Sequence, residues 1–202
     1  FFPMRHFYHE QGSEEWLRSR CGFITASNFS KLVTTQGAKS KQADTYLNAV
    51  IAEREVPIPI DTYKSAAMQE GNDLEDQARS TFELLHDVSI KQVGLVALDD
   101  HDVGCSPDGL WADTGIEIKC PQRSTHIGYR RSGRLPSAYF QQVQGTMWIM
   151  ELDHYWFFSF RPEHKPFIIK VERDDEWIDK ASKIIIEAAQ LVDSETRRLI
   201  DG

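Results

Sequence analysis

The sequence predicts an α/β fold, a central mixed β-sheet flanked by helices, and three features of the 202-residue chain point there. Helix-period apolar spacing dominates the N-terminal part and returns at the C-terminal end. Between them lie short alternating or continuous apolar stretches bounded by glycine, proline and aspartate. A further helical pattern interrupts those strands, the order that a layered sheet with covering helices requires. At 41% hydrophobic the chain can bury one good core, so a single domain over residues 1–202 is expected.

Taken in order, Ser13-Glu14-Glu15 starts a short helix through Trp16, Leu17 and Arg20, with a capping serine and acids in the first turn, and Gly22 ends it. Thr25-Ala26-Ser27 opens a second helix towards Leu32. A serine at a helix start either caps it or offers hydroxyl and amides to a phosphate, with Arg20 at hand. Thr34 to Asp44 is a polar, lysine-bearing surface loop. A helix through Leu47, Val50 and Ile51 follows, broken by Pro57 and Pro59. Thr62 to His86 reads as one long helix with the stripe Leu74, Ala78, Phe82 and Leu85. Glu75 adjoins that stripe and either points inward or pairs with Arg79 at i,i+4.

Val88 to Leu98 is a strand, Asp99 to Asp102 a turn, and Val103-Gly104-Cys105 re-enters the sheet. Next comes Ser106-Pro107-Asp108-Gly109, then an apolar-to-polar stretch closed by Gly115, then Ile116-Glu117-Ile118-Lys119-Cys120, together a strand, a tight turn and a strand. Successive strand residues face opposite ways, so Glu117 and Lys119 share one face, and Ile116, Ile118 and Cys120 the other. A neighbouring strand carrying Asp108 at matching height gives two carboxylates and an ammonium on one side of a hairpin. Hard oxygen ligands suit magnesium or manganese, with Lys119 placed for the attacking water or the phosphate charge. The alternative is an ordinary hairpin with a wet face.

After Pro121 an arginine-rich connection leads to a helix from Leu135-Pro136-Ser137 through Tyr139, Val143, Met147 and Met150, with Tyr139 and Gln142 on one face. His154 to Phe160 and Pro166 to Val171 are strands. The run Tyr155-Trp156-Phe157-Phe158 implies burial on both faces or a subunit contact. A last amphipathic helix carries Trp177, Ile184, Ala188 and Leu191.

Nothing approaches the roughly 18 consecutive apolar residues of a membrane helix, and no signal-peptide pattern is present, so no membrane role and a cytoplasmic setting are expected. Three cysteines without CxxC spacing point to reduced thiols rather than disulfides or zinc. The net charge of −8 argues against indiscriminate wrapping of nucleic acid. Basic patches are local: Arg123, Arg130, Arg131 and Arg134 in one stretch, and Arg18, Arg20, Lys31, Lys39 and Lys41 in another. They either hold phosphates in one place or are solvated runs on unrelated faces.

Five blocks in this order resemble a known family. They are Trp16-Leu17-Arg18-Ser19-Arg20 with Gly22 and Ile24-Thr25-Ala26-Ser27; Glu75; Cys105-Ser106-Pro107-Asp108-Gly109-Leu110; Glu117-Ile118-Lys119-Cys120-Pro121; and Ser137-Ala138-Tyr139 with Gln142-Val143-Gln144 and Met147-Trp148. The chain is similar, over roughly residues 10 to 180, to the lambda exonuclease family of phage recombination nucleases (YqaJ-like), within the PD-(D/E)XK superfamily.

The resemblance implies a magnesium-dependent 5′→3′ exonuclease that degrades one strand of linear duplex DNA to 5′-mononucleotides. It leaves a 3′ single strand for recombination by annealing, works as a homotrimeric ring, and partners a single-strand annealing protein in a bacterial or phage-infected cell. It assigns metal binding to Asp108, Glu117, the Ile118 carbonyl and Glu75, with two ions and manganese as a substitute. Lys119 then serves the nucleophile, Gln142 and Tyr139 line the site, and Arg20, Ser27 and Ser106 form a 5′-phosphate pocket. Met68 falls where the family has a residue that splays the terminal base pair, and Lys39, Lys41 and Arg123 are further DNA contacts. The competing readings are a structure- or sequence-specific endonuclease of the same superfamily, a non-catalytic DNA-binding module and a purely structural oligomer subunit.

Overall fold

Among the described residues the strands form two mixed four-stranded sheets, and the motif-bearing residues lie where the chain passes from one to the other. The structure is a computed structural model that describes residues 4–59 and 66–201. The first sheet has the order β1-β3-β4-β2, built from β1 (Met4–Phe7), β2 (Ile24–Thr25), β3 (Leu95–Leu98) and β4 (Val103–Cys105). Its β2–β4 pair is parallel and the others antiparallel. The second runs β5 (Gly109–Trp111), β6 (Thr114–Lys119), β7 (His154–Ser159) and β8 (Phe167–Glu172), with β6 and β7 parallel. Ser106-Pro107-Asp108 is the passage between the sheets, and Gln11 Nε2 pins it by donating to the carbonyls of Val93 and Pro107, both at 2.8 Å.

Helices α1 (Glu14–Ser19), α2 (Phe29–Leu32) and α3 (Ala43–Glu55) precede β3 together with α4 (Ala66–Asp73) and α5 (Glu75–His86). Helices α6 (Arg123–Ser132) and α7 (Phe140–Met150) lie between β6 and β7, and α8 (Asp175–Asp201) closes the order. Ser13 caps α1 as expected, its hydroxyl accepting from the Trp16 amide at 3.1 Å.

Strand β6 is covered on both sides, although its alternation alone would allow the face with Glu117 and Lys119 to be wet. Ile116 and Ile118 pack with Ala78 and Phe82 of α5 and with Phe158 and Phe160. The opposite side holds Tyr155 with Val143 and Met147 of α7. Tyr155, Phe157 and Phe158 are fully buried, each contributing about 1.5–3 kcal/mol by leaving water. The aromatic run is thus buried on both faces of the sheet. The largest cluster lies beneath the first sheet, where α3 (Tyr46, Leu47, Val50) and α8 (Trp177, Ile185, Val192) meet Phe29 and Leu32. Gly145 of α7 allows this closeness, since a Cβ there would sit 2.3 Å from the Phe29 ring.

Several boundaries differ from the sequence reading. The long helix expected from Thr62 to His86 is interrupted at Leu74, following the weak helix formers Gly71, Asn72 and Asp73, and residues 62–65 lie outside the described residues. Leu85 of its stripe is 59% exposed, because α5 turns its inner face at Ala78 and Phe82. The helix expected from Thr25 begins as strand β2 and a 3₁₀ turn at Ala26–Asn28. The strand expected from Val88 is regular only from Leu95, with a lone bridge Lys91–Leu110 before it. The β5–β6 turn falls at Ala112-Asp113, Ala112 taking φ 49°, so Gly115 lies inside the strand. The arginine-rich connection is helix α6, ended by Gly133 at φ 60°. Leu191 of the last helix is 45% exposed, at the edge of a surface cavity between α8 and α3.

Candidate active site

Asp108 and Glu117 converge because the antiparallel register sets Gly109 opposite Ile116. The Asp108 side chain is fixed by the β6 backbone, its Oδ2 accepting from the Ile118 amide at 2.6 Å. Glu117 is 1% exposed, and its Oε1 accepts from Lys119 Nζ at 2.5 Å and from Gln142 Nε2 of α7 at 2.6 Å. Its Oε2 is buried and, among the described residues, has no hydrogen-bond partner. Lys119 Nζ also lies 3.9 Å from Asp108 Oδ2 and 5.5 Å from the centre of the Tyr139 ring, so Tyr139 forms an aromatic wall beside the ammonium. Of the two alternatives for Glu75, the i,i+4 ion pair forms. Glu75 sits at the head of α5 near these acids, and its Oε1 pairs with Arg79 Nη2 at 2.7 Å.

The electrostatics record this crowding. Burial, then the charge of Asp108, raises Glu75 to about 7, and the same two causes in the same order raise Glu117 to about 7. Burial pulls Lys119 down, but Glu117 and Asp108 outweigh it and hold the ammonium charged. Among the described residues no three His, Cys, Asp or Glu side chains are already arranged as a metal cage. Glu75 is engaged by Arg79, and one Glu117 oxygen by Lys119 and Gln142. The donor set nonetheless suits a hard divalent cation, being carboxylate oxygens that repel one another, one of them buried and orphaned.

Beside the acids lies a hydroxyl-lined cationic cup. Arg20, the residue that caps the end of α1, donates from Nη2 to Ser27 Oγ at 3.1 Å. Its guanidinium carbon stacks 4.2 Å from the Trp16 ring centre, and Trp16 Nε1 donates to Ser106 Oγ at 3.3 Å. Ser27 Oγ lies 3.2 Å from Thr25 Oγ1. Arg20, Ser27 and Ser106 line one cavity of about 140 Å³ with Asp108, Glu117, Lys119 and Gln142.

Trp16 and Thr25 were missed as site residues. For Trp16 the available signal was its i,i+4 spacing to Arg20 on one helix face. The remaining candidates lie elsewhere. Lys39 pairs with Asp44 at 3.3 Å, Arg123 with Glu163 at 3.3 Å, Lys41 is exposed, and none of the three lines this cavity. Met68 belongs to α4, and its side chain lies outside the described residues.

In its whole fold the molecule has the PD-(D/E)XK architecture and is similar to solved exonucleases. Two crystal structures of LHK-Exo align closely. The form described as an alkaline exonuclease from Laribacter hongkongensis shares 29% identity, with 93% of this chain and 96% of that one covered and a TM-score of 0.81. The form in complex with dAMP shares 28%, with the same coverage and a TM-score of 0.83. A phage-related exonuclease from Haemophilus somnus 129PT shares the fold at 14% identity, covering 88% of this chain and 96% of that one, with a TM-score of 0.68. Residues 15–153, more than half of the chain, match the YqaJ-like viral recombinase domain, and the chain belongs to that family. Its role is that of a nuclease in recombination. A search among curated proteins finds no match.

Proposed function

We propose that this protein is a magnesium-dependent 5′→3′ exonuclease that shortens one strand of linear duplex DNA, releasing 5′-mononucleotides and leaving a 3′ single strand for annealing. The observation that carries the reading is the shared cavity, in which the Arg20–Ser27–Ser106 cup and the Asp108–Glu117–Lys119 group face the same small space. A cup that grips a terminal phosphate at fixed distance from hydrolytic groups counts one nucleotide from the 5′ end. The LHK-Exo relative has been crystallised with a mononucleotide, dAMP, which suits such a cup.

Asp108, Glu117, the Ile118 carbonyl and Glu75 would hold the metal, two ions in all, with manganese able to replace magnesium. Bound there, the metal supplies an acidified water and neutralises charge at the scissile phosphate. The chain's own residues do the rest. Lys119, kept charged by its acidic neighbours, orients the attacking water and offsets negative charge developing on the phosphate. Gln142 fixes the Glu117 carboxylate, and Tyr139 shields the ammonium from bulk water. Arg20 with Ser27 and Ser106 binds the 5′-phosphate. In this proposal three copies form a ring around the duplex, an annealing protein receives the exposed strand, and the setting is a bacterial or phage-infected cytoplasm.

The decisive experiment is a time course on linear duplex labelled at one 5′ end, run in magnesium beside a covalently closed circular duplex. Release of labelled mononucleotide from the linear substrate, with the circle untouched, is the expected result. Efficient cutting of the circle would replace the exonuclease reading with an endonuclease one.

A further inference from the structure

Arg20, Thr25 and Ser27 form a partition with a cavity on each side. One is the catalytic cavity of about 140 Å³, and the other is a larger space of about 580 Å³ that, among the described residues, shares those three with it. The larger space contains none of the catalytic acids. Its walls combine apolar and aromatic surface from Phe23, Val50 and Tyr46 with the polar groups of Asn28, Lys31 and Glu53. Lys31 Nζ lies 5.4 Å from the Tyr46 ring centre, and the Tyr46 hydroxyl accepts from the Thr25 amide at 3.3 Å, so α3 is tied directly to the partition.

Position and chemistry together define an occupant. A phosphate held by Arg20 and Ser27 has its reacting neighbour on the acid side, and the larger cavity, which those same two residues line, is the space open to whatever is attached on its 5′ side. That space is of the size that encloses a small organic ligand. With Arg20 taken by the phosphate in the cup, Lys31 and Glu53 balance each other in what is left of the lining, so a further phosphate gains little there, whereas a sugar and base gain an apolar wall with polar groups at its rim.

We propose that this cavity is a subsite for the first nucleoside of DNA ends that lack a 5′-phosphate. It rests on the exonuclease reading and extends it to a second class of end. On a 5′-hydroxyl end, the first internucleotide phosphate occupies the cup and nucleoside 1 occupies the cavity. The scissile phosphate is then the one between nucleotides 2 and 3. Water adds to that phosphorus, the bond from phosphorus to O3′ of nucleotide 2 breaks, and O3′ takes a proton. The products are a dinucleoside monophosphate and a strand that now begins with a 5′-phosphate, ready for single-nucleotide steps.

The test is product analysis by mass spectrometry on two blunt duplexes of identical sequence, one with a 5′-phosphate and one with a 5′-hydroxyl. The expected first products are a mononucleotide from the former and a dinucleoside monophosphate from the latter, followed by mononucleotides from both. A free nucleoside as the first product of the hydroxyl end, or no digestion of that end, would overturn the subsite and leave the exonuclease intact. Absence of any 5′-terminal product from the phosphorylated duplex would instead sink the exonuclease reading. A second arm uses Ala49→Trp, which fills the cavity from α3. It should raise the preference for phosphorylated over hydroxyl ends about tenfold, read as a ratio so that a general loss of protein cancels. An unchanged ratio would count against the subsite.

Discussion

Glu117 is a carboxylate with one oxygen held twice and the other unpartnered among the described residues, and its removal separates chemistry from binding. Glu117→Ala or Asp108→Ala should lower cleavage by at least about a thousandfold, the scale of losing preorganised charge in an active site. DNA binding should remain, since the cup is untouched; a variant that still cleaves in magnesium would remove the acids from the chemistry. Arg20 allows a finer test. A terminal phosphate carries more charge than an internucleotide one, so Arg20→Ala should hurt phosphorylated ends more. The rate ratio between phosphorylated and hydroxyl ends should fall by roughly threefold or more, the part of the charge-assisted bond that the extra charge of the terminal phosphate supplies. An unchanged ratio would detach Arg20 from recognition of the end. The pairing of Glu117 with Lys119 was legible because a strand has a period of two. The role of Trp16 was not, because Ser106, which it grips, is 90 positions away and no local pattern records that meeting.

Helix α6 shows what the element scale adds. Its sequence has arginines, serines and a glycine and no apolar stripe, so it reads as a solvated connection. What docks it is polar: His126, fully buried, with Nδ1 2.8 Å from Ser159 Oγ and Nε2 3.1 Å from the Lys165 carbonyl. A carbonyl only accepts, so Nε2 carries a hydrogen, and in the neutral ring, the form that burial favours, Nδ1 accepts from the serine. Burial lowers the His126 pKa; the bond to Lys165 works the other way, and Arg130, His164 and Arg161 lower it further. The sign follows from the unfolded chain, whose histidine titrates near 6.5. Above that value His126 is neutral in both states and neither is favoured. As the pH falls through it, the unfolded chain takes the proton first, and the fold loses stability. The drop in denaturation midpoint between about pH 7.5 and about pH 5.5 should therefore be smaller in His126→Gln than in the parent protein. Equal drops would show that α6 is not held by a neutral histidine. The interruption at Leu74 was hidden for a related reason, since apolar spacing carries on across it while the backbone does not.

At the scale of the whole molecule, a net charge of −8 has to be reconciled with work on a polyanion. Bulk attraction cannot hold the substrate, and the exposed Arg123, Arg130, Arg131 and Arg134 of α6 and its end concentrate positive charge in one place. The ring of the proposed assembly resolves this, because a closed loop of protein stays on its track without tight contacts. Exposed Leu84 and Leu85 at the end of α5 offer apolar surface that such an assembly can cover. Two measurements follow. Sedimentation at micromolar concentration should give about three times the 23.2 kDa chain mass, and a monomer alone would rule the ring out. Salt should then act on loading and not on progress. If digestion is started at low salt and challenged with higher salt plus excess unlabelled DNA, strands already engaged should run on while new ends fail to load, since only encounter depends on phosphate contacts. A stop within a few nucleotides of the challenge would mean that charge, and not a closed ring, keeps the enzyme on its substrate.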